Sequence, residues 1–286
     1  VMEMYYMIEK QSPGTPNTLV LGPWQHGGQY RSDGEKLGEL SFSAKTARFF
    51  QDQILVPFFL HHLKGIKTEE TPEAWAFETG TNVWRRYAAW PPKAVQRTPF
   101  WFHAEGQLSQ ASPVGEAGAF DGYVSDPKKP VPYRERTSSR RDPEYMIEDQ
   151  RFAARRPDVA VYTAPVLDHD VTVAGPIEVD LWVSTTGSDA DFVVKLIDVF
   201  PDSAADPEPN PRGVRMGGYQ ALVRGEVMRS RFRNSFEKPE PLQPSTPTRI
   251  RFSLPDVNHT FRASHRIMVQ VQSSWFPLVD RNPQQF

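Results

Sequence analysis

Apolar residues at helical spacing open the chain: Val1, Met4, Tyr5 and Ile8 share one face, which predicts an amphipathic helix over residues 1–10. Nothing before it can act as an N-cap, so the pattern starts inside or at the edge of a helix. The breaker cluster Ser12-Pro-Gly-Thr-Pro16 ends it, and Thr18-Leu-Val-Leu-Gly22 reads as a short buried strand. Helix, turn and buried strand form half of an α/β repeat. The longest helical stripe lies in residues 43–64, where Ala47, Phe50, Ile54, Phe58 and His61 or His62 line one side and Gly65 is a natural stop. Pro57 should kink that helix or split it in two.

From about residue 71 onward the period changes from helical to alternating. Ile177, Val179, Leu181 and Val183 point inward against Glu178, Asp180, Trp182 and Ser184. Residues 192–200, 248–254 and 265–272 repeat the pattern, with Ile250, Phe252 and Leu254 opposed to Arg249 and Arg251, and Ile267, Val269 and Val271 opposed to Met268 and Gln270. The expectation is two modules: residues 1–70, the last part of an α/β domain, and residues 71–286, an antiparallel sandwich or jelly roll. Proline-rich connections at 103–157 and 203–215 join the strands. Asp280-Arg-Asn-Pro-Gln-Gln-Phe286 is a turn signal with no strand behind it, so both ends read as cut from a longer protein.

Composition narrows the partners. With 33 Lys+Arg against 35 Asp+Glu and no long run of either sign, the chain has no electrostatic footprint for nucleic acid or an anionic membrane. No apolar run approaches the length that spans a bilayer. Cys is absent, which excludes disulfides, thiolate metal sites and a cysteine nucleophile. The 27 Pro and 12% aromatic residues suit a strand-rich domain with irregular connections.

One segment carries candidate chemistry. Leu19-Val-Leu-Gly-Pro-Trp-Gln-His26-Gly-Gly28 sets a histidine just past a buried strand, between Gly-Pro and Gly-Gly. In an α/β sheet that edge is where active sites collect, and a tight turn there supplies the rigid support a general base needs. From spacing alone, a solvated loop histidine is the commoner outcome.

Resemblance sharpens the reading. Gly22-Pro-Trp-Gln-His26-Gly, then Phe77-Glu-Thr-Gly80-Thr-Asn82-Val-Trp84, Tyr123-Val-Ser-Asp126-Pro, Asp149-Gln-Arg-Phe152, Gly187-Ser-Asp189, Val194-Lys195-Leu-Ile-Asp198, Met216-Gly-Gly-Tyr219, Asn258-His-Thr-Phe261 and Ser274-Trp-Phe-Pro277 resemble one family. It is the cocaine esterase/glutaryl-cephalosporin acylase/α-amino acid ester hydrolase family, related to the X-prolyl dipeptidyl peptidases. The resemblance implies an α/β-hydrolase C-terminal remnant followed by an all-β jelly-roll, a galactose-binding-like sandwich. It also implies a Ser-His-Asp triad cleaving an ester, an amide or a short peptide, with His26 as the base and no cofactor or metal. The triad serine and carboxylate would lie upstream of Val1, in a missing N-terminal part of the catalytic domain. No Gly-x-Ser-x-Gly elbow occurs in the chain, in keeping with that. The fragment alone would therefore be inactive. A periplasmic or secreted location and a homo-oligomer are compatible with the family.

Other candidates are weaker. Tyr30 follows His26 closely enough to line a substrate cleft, or it is an exposed loop tyrosine. His61 and His62 are adjacent on a helix, point about 100° apart and cannot chelate one metal. Arg134, Arg136, Arg140 and Arg141, near Glu135 and Asp142, suggest a solvated loop with local ion pairs. Asp280-Arg281-Asn282 would brace the jelly roll against the hydrolase domain or hold its own turn. The rival class is a stand-alone β-sandwich carbohydrate-binding module presenting Trp84, Trp90 and Trp101.

Overall fold

The computed structural model describes residues 2–114, 118–136 and 142–286. Two compact units emerge, Val1–Gln96 with Asp170–Gly175 and Asp256–Arg262, and Arg97–His169 with Pro176–Pro255 and Ala263–Phe286. Packing thus carries the first unit past the expected boundary near residue 70.

The first unit begins with α1 (Met2–Gln11) and β1 (Leu19–Leu21), as the pattern predicts. The short α2 (Gly28–Arg31) and the β2 (Lys36–Leu37) and β3 (Leu40–Ser41) ribbon lead into α3 (Thr46–Phe49), a π-helical segment Phe50–Leu55, and α4 (Val56–Lys64). Pro57 neither splits nor stops this run. Immediately before it the helix widens, with the Val56 N–H bonded to the Gln51 carbonyl, five residues back. A π turn absorbs the carbonyl that the proline ring displaces and the donor it lacks. Gly65, in the left-handed conformation at φ 66°, ends α4 by donating to the His61 and Leu60 carbonyls. β4 (Ala74–Glu78) then pairs parallel to β1 and antiparallel to β5 (Val83–Tyr87). Tyr5, Leu19, Ala74, Ala76 and Trp90 form the buried core here.

The second unit is mostly sheet. Its strands are β6 (Trp101–His103), β7 (Gln107–Ser109), β8 (Val159–Thr163, after the short α5, Arg151–Ala154), β10 (Asp191–Val199), β11 (Gln220–Arg229) and β13 (Arg266–Gln272), with residues 176–183 of β9 (Val171–Val183) and 248–255 of β12 (Thr248–Phe261), whose remaining residues belong to the first unit. One six-stranded sheet runs β11-β10-β13-β8-β7-β6, and β9 pairs with β12 apart from it. Phe192 of β10 packs with Ile250, Phe252 and Val183, so the β9–β12 ribbon covers one face of the large sheet. Val193 and Ile197, on the other face, pack with Tyr133 and Trp275. Covered on both faces, the middle strands cannot alternate. Met268 and Gln270, expected to face outward, are buried with Ile267 and Val271. The outer ribbon does alternate, and Arg249 and Arg251 both reach Asp180 across its exposed face. This is a layered arrangement consistent with a β-sandwich.

Candidate functional site

The chain leaves β1 through Gly22, Pro23 and Trp24, and His26 sits in the turn that follows. The Gly28 N–H bonds to the Gln25 carbonyl at 2.8 Å, with His26 and Gly27 between them. Gly27 has φ 78° and ψ 0°, the positive-φ corner of a type II turn, where a side chain would be strained. The imidazole is exposed. Among the described residues no carboxylate, serine or backbone group bonds either ring nitrogen.

The support beneath the turn is built. The Trp24 indole Nε1 donates to Thr46 Oγ1 at 2.8 Å, and that buried hydroxyl donates to the Gly34 carbonyl at 2.6 Å. Gly34, at φ 76°, lies so close that an added Cβ would stand 2.4 Å from Thr46 Oγ1. Trp24 also packs against Phe50 and Trp84, with ring centroids 5.2 and 5.7 Å away. Gln51 of the π segment donates to the Gln29 carbonyl at 2.6 Å. Arg31 folds back over the turn, 3.4 Å from where a Cβ on Gly27 would be. Sequence reasoning passed over Thr46, Gln51 and Arg31, because their roles depend on contacts across the loop.

Tyr30 lies in α2, 61% exposed and edge-on to Phe50. His61 and His62 stand exposed near the end of α4, their rings edge to face at 4.8 Å. Among the described residues no group of three His, Cys, Asp or Glu could hold a metal ion. No described helix is long and apolar enough to cross a membrane.

Arg134 is held by Asp142, Glu144 and Glu148, so local ion pairs do organise that loop; Arg140 and Arg141 lie outside the described residues. Glu148 shows the competition there: burial raises its pKa, and the Arg134 guanidinium only partly offsets the rise. The turn at Asp280-Arg281-Asn282 holds itself as one of the expected roles had it, Asn282 Oδ1 accepting from the Gln284 N–H at 2.7 Å, and its side chains also reach further. Asn282 is buried and bonds Asp189 and Asp191 at the start of β10, while Arg281 donates to the Pro127 carbonyl. The carbohydrate-module reading loses its platform. Trp90 is core, donating to Asp256, and Trp84 stacks on Phe49; Trp101 alone of the three is well exposed, at 41%. A His–carboxylate pair that the sequence did not single out joins His265 Nδ1 to buried Asp198 at 2.8 Å, tying the end of β10 to the start of β13.

Comparison with known proteins agrees with the sheet-rich unit. The model of the X-Pro dipeptidyl-peptidase C-terminal non-catalytic domain matches residues 65–285, and the chain belongs to that family. His26 lies outside the matched residues. The chain is 30% identical over 276 residues to cocaine esterase of Rhodococcus sp. (strain MB1 Bresler), covering 92% of itself and 45% of that protein. An aminopeptidase from the marine sediment archaeon Thaumarchaeota archaeon superposes with TM-score 0.90 at 41% identity, over the whole chain and 46% of the relative. A selenomethionine-labelled α-amino acid ester hydrolase gives the same TM-score and identity, over 47% of its chain. The chain thus spans less than half the length of these relatives.

Proposed function

We propose that this chain is the C-terminal part of a serine hydrolase that cleaves esters or amides, with the first unit belonging to its α/β-hydrolase catalytic domain and the sheet-rich second unit to a non-catalytic jelly roll. The observation that carries the reading is His26: an exposed imidazole on a rigid glycine turn off a strand in parallel pairing, with both ring nitrogens free of partners among the described residues. The β1–helix–β4 crossover is the kind of unit an α/β sheet is made from. A serine and a carboxylate from a segment outside this chain would complete the site.

In the complete enzyme His26 takes the serine proton as Oγ bonds to the substrate carbonyl carbon and the carbonyl electrons move onto oxygen. As the tetrahedral species collapses, the bond to the leaving alcohol or amine breaks and His26 returns the proton to it. Water then repeats the sequence on the acyl-enzyme. Tyr30 lines the cleft in this reading, and the substrate is a small ester, amide or short peptide. The missing segment also has a surface to cover: α4 has no buried residue and exposes Val56, Phe59 and Leu63.

The test is made on the longer coding region. It should encode a Gly-x-Ser-x-Gly elbow before Val1, and His26→Ala in that protein should lower kcat by about 10³ or more. A loss below about tenfold removes His26 from the triad.

A further inference from the structure

Lys195 stands mid-strand in β10, in register with Gly225 of β11 and Gln270 of β13, and has 0% exposure. Strand alternation puts it on the face of Val193 and Ile197, which pack with Tyr133, Leu222, Met268 and Trp275. An amine therefore sits inside the apolar core. Gly225 makes room for it: a Cβ there would lie 3.3 Å from Lys195 Cγ and 3.0 Å from the Trp275 ring.

Nζ donates to Gln150 Oε1 at 2.9 Å and lies 5.2 Å from the Trp275 ring centroid. Gln150 is oriented for this by its own Nε2, which donates to the Glu148 carbonyl at 2.9 Å. An ammonium has three donors and a full charge, and no carboxylate among the described residues pairs with this one. The charges nearby are engaged or averted. Arg224 and Glu226 pair in register with Leu196 and Val194, on the opposite face. On β10 itself, Asp191 is bonded by Arg229 and Asp198 by His265. Beside Gln150, Glu148 is bonded by Arg134 and Asp149 by Arg151. β13 contributes Gln270 and Gln272 to this face, and the core adds the phenols of Tyr133 and Tyr145. The Trp275 ring attracts a cation, but less than water would solvate it.

We infer that Lys195 is a proton-sensitive element of the central sheet: the core accepts its neutral amine, and protonation weakens the packing of β10 between β11 and β13. Burial pulls its pKa down to about 7. The sign follows from linkage. Between that value and the ordinary lysine pKa of about 10.4, the unfolded chain holds a proton that the folded one gives up, so stability rises with pH across this window. Below it both states are protonated and the charged amine stays in the core at full cost.

The test compares urea unfolding of this chain and of Lys195→Gln and Lys195→Met from about pH 6 to 9.5, where the wild-type folding constant should gain up to about tenfold per pH unit. Neither variant should show that added gain. Parallel profiles for all three overturn the inference. Should neither variant fold, the wild type decides by NMR of labelled lysine Cε. One resonance moving near pH 7 supports the inference, and every lysine titrating above about pH 9.5 overturns it.

Discussion

The Trp24 indole donates to the Thr46 hydroxyl at 2.8 Å, joining the loop that carries His26 to the first turn of the helical run behind it. Thr46 is buried and passes the bond on to the Gly34 carbonyl. One hydroxyl therefore satisfies a part-buried donor and a buried acceptor at once.

Thr46→Val keeps the shape and removes both bonds. It should destabilise the first unit by about 1–3 kcal/mol, the cost of leaving buried polar groups unpaired. Urea unfolding followed by tryptophan emission measures this, and amide exchange should quicken at Gln25 to Gly28. Unchanged exchange in that turn would show that Thr46 does not hold it.

Gly34→Ala should cost more than Thr46→Val. It combines a strained positive φ with a Cβ 2.4 Å from Thr46 Oγ1 and 2.5 Å from the Ala47 nitrogen. The same unfolding curves give the order of the two losses.

Asn282 bridges two buried carboxylates, donating to Asp189 at 2.9 Å and Asp191 at 2.7 Å. Its replacement by Ala should cost the second unit about 2–3 kcal/mol, since hydrogen bonds to charged groups are among the stronger ones. Asn282→Asp should cost more at neutral pH by placing a third carboxylate beside the other two.

Asp189 predicts an acid limb. Burial raises its pKa, but bonds from Ser230, Asn282 and Arg231 outweigh burial and hold it below the ordinary carboxylate range. A depressed folded pKa gives stability that is present above the unfolded value of about 3.9 and lost as pH falls through the folded one. Asn282→Ala, removing one of those bonds, should move acid unfolding to higher pH. Circular dichroism against pH reads the midpoint.

The uncovered side of α4 should bind an apolar dye or drive self-association, with Leu63 75% exposed and Phe59 and Val56 about half exposed. Phe59→Glu with Leu63→Glu should abolish dye binding without lowering the unfolding midpoint, because neither side chain is part of a core. A dye-silent, monomeric wild type would remove this surface as the docking place for a missing segment.

Much of the fold was legible along the chain, because local periodicity and backbone chemistry act over a few residues. The helix over residues 2–11, the buried Leu19–Leu21 strand, the Gly65 stop and the inward–outward alternation of β9 are all of that kind. The glycines after His26 likewise announced a tight turn. Tertiary structure decided the rest. Pattern could not say that a π turn would accommodate Pro57, that β13 would be covered on both faces, or that Asn282 would reach β10. Nor could it say that a lysine would be sealed beside a glycine one strand away. Those outcomes depend on which surfaces meet across tens of residues of intervening chain. The energy of a buried polar group is set by the partners that arrive there, and no local spacing encodes their arrival.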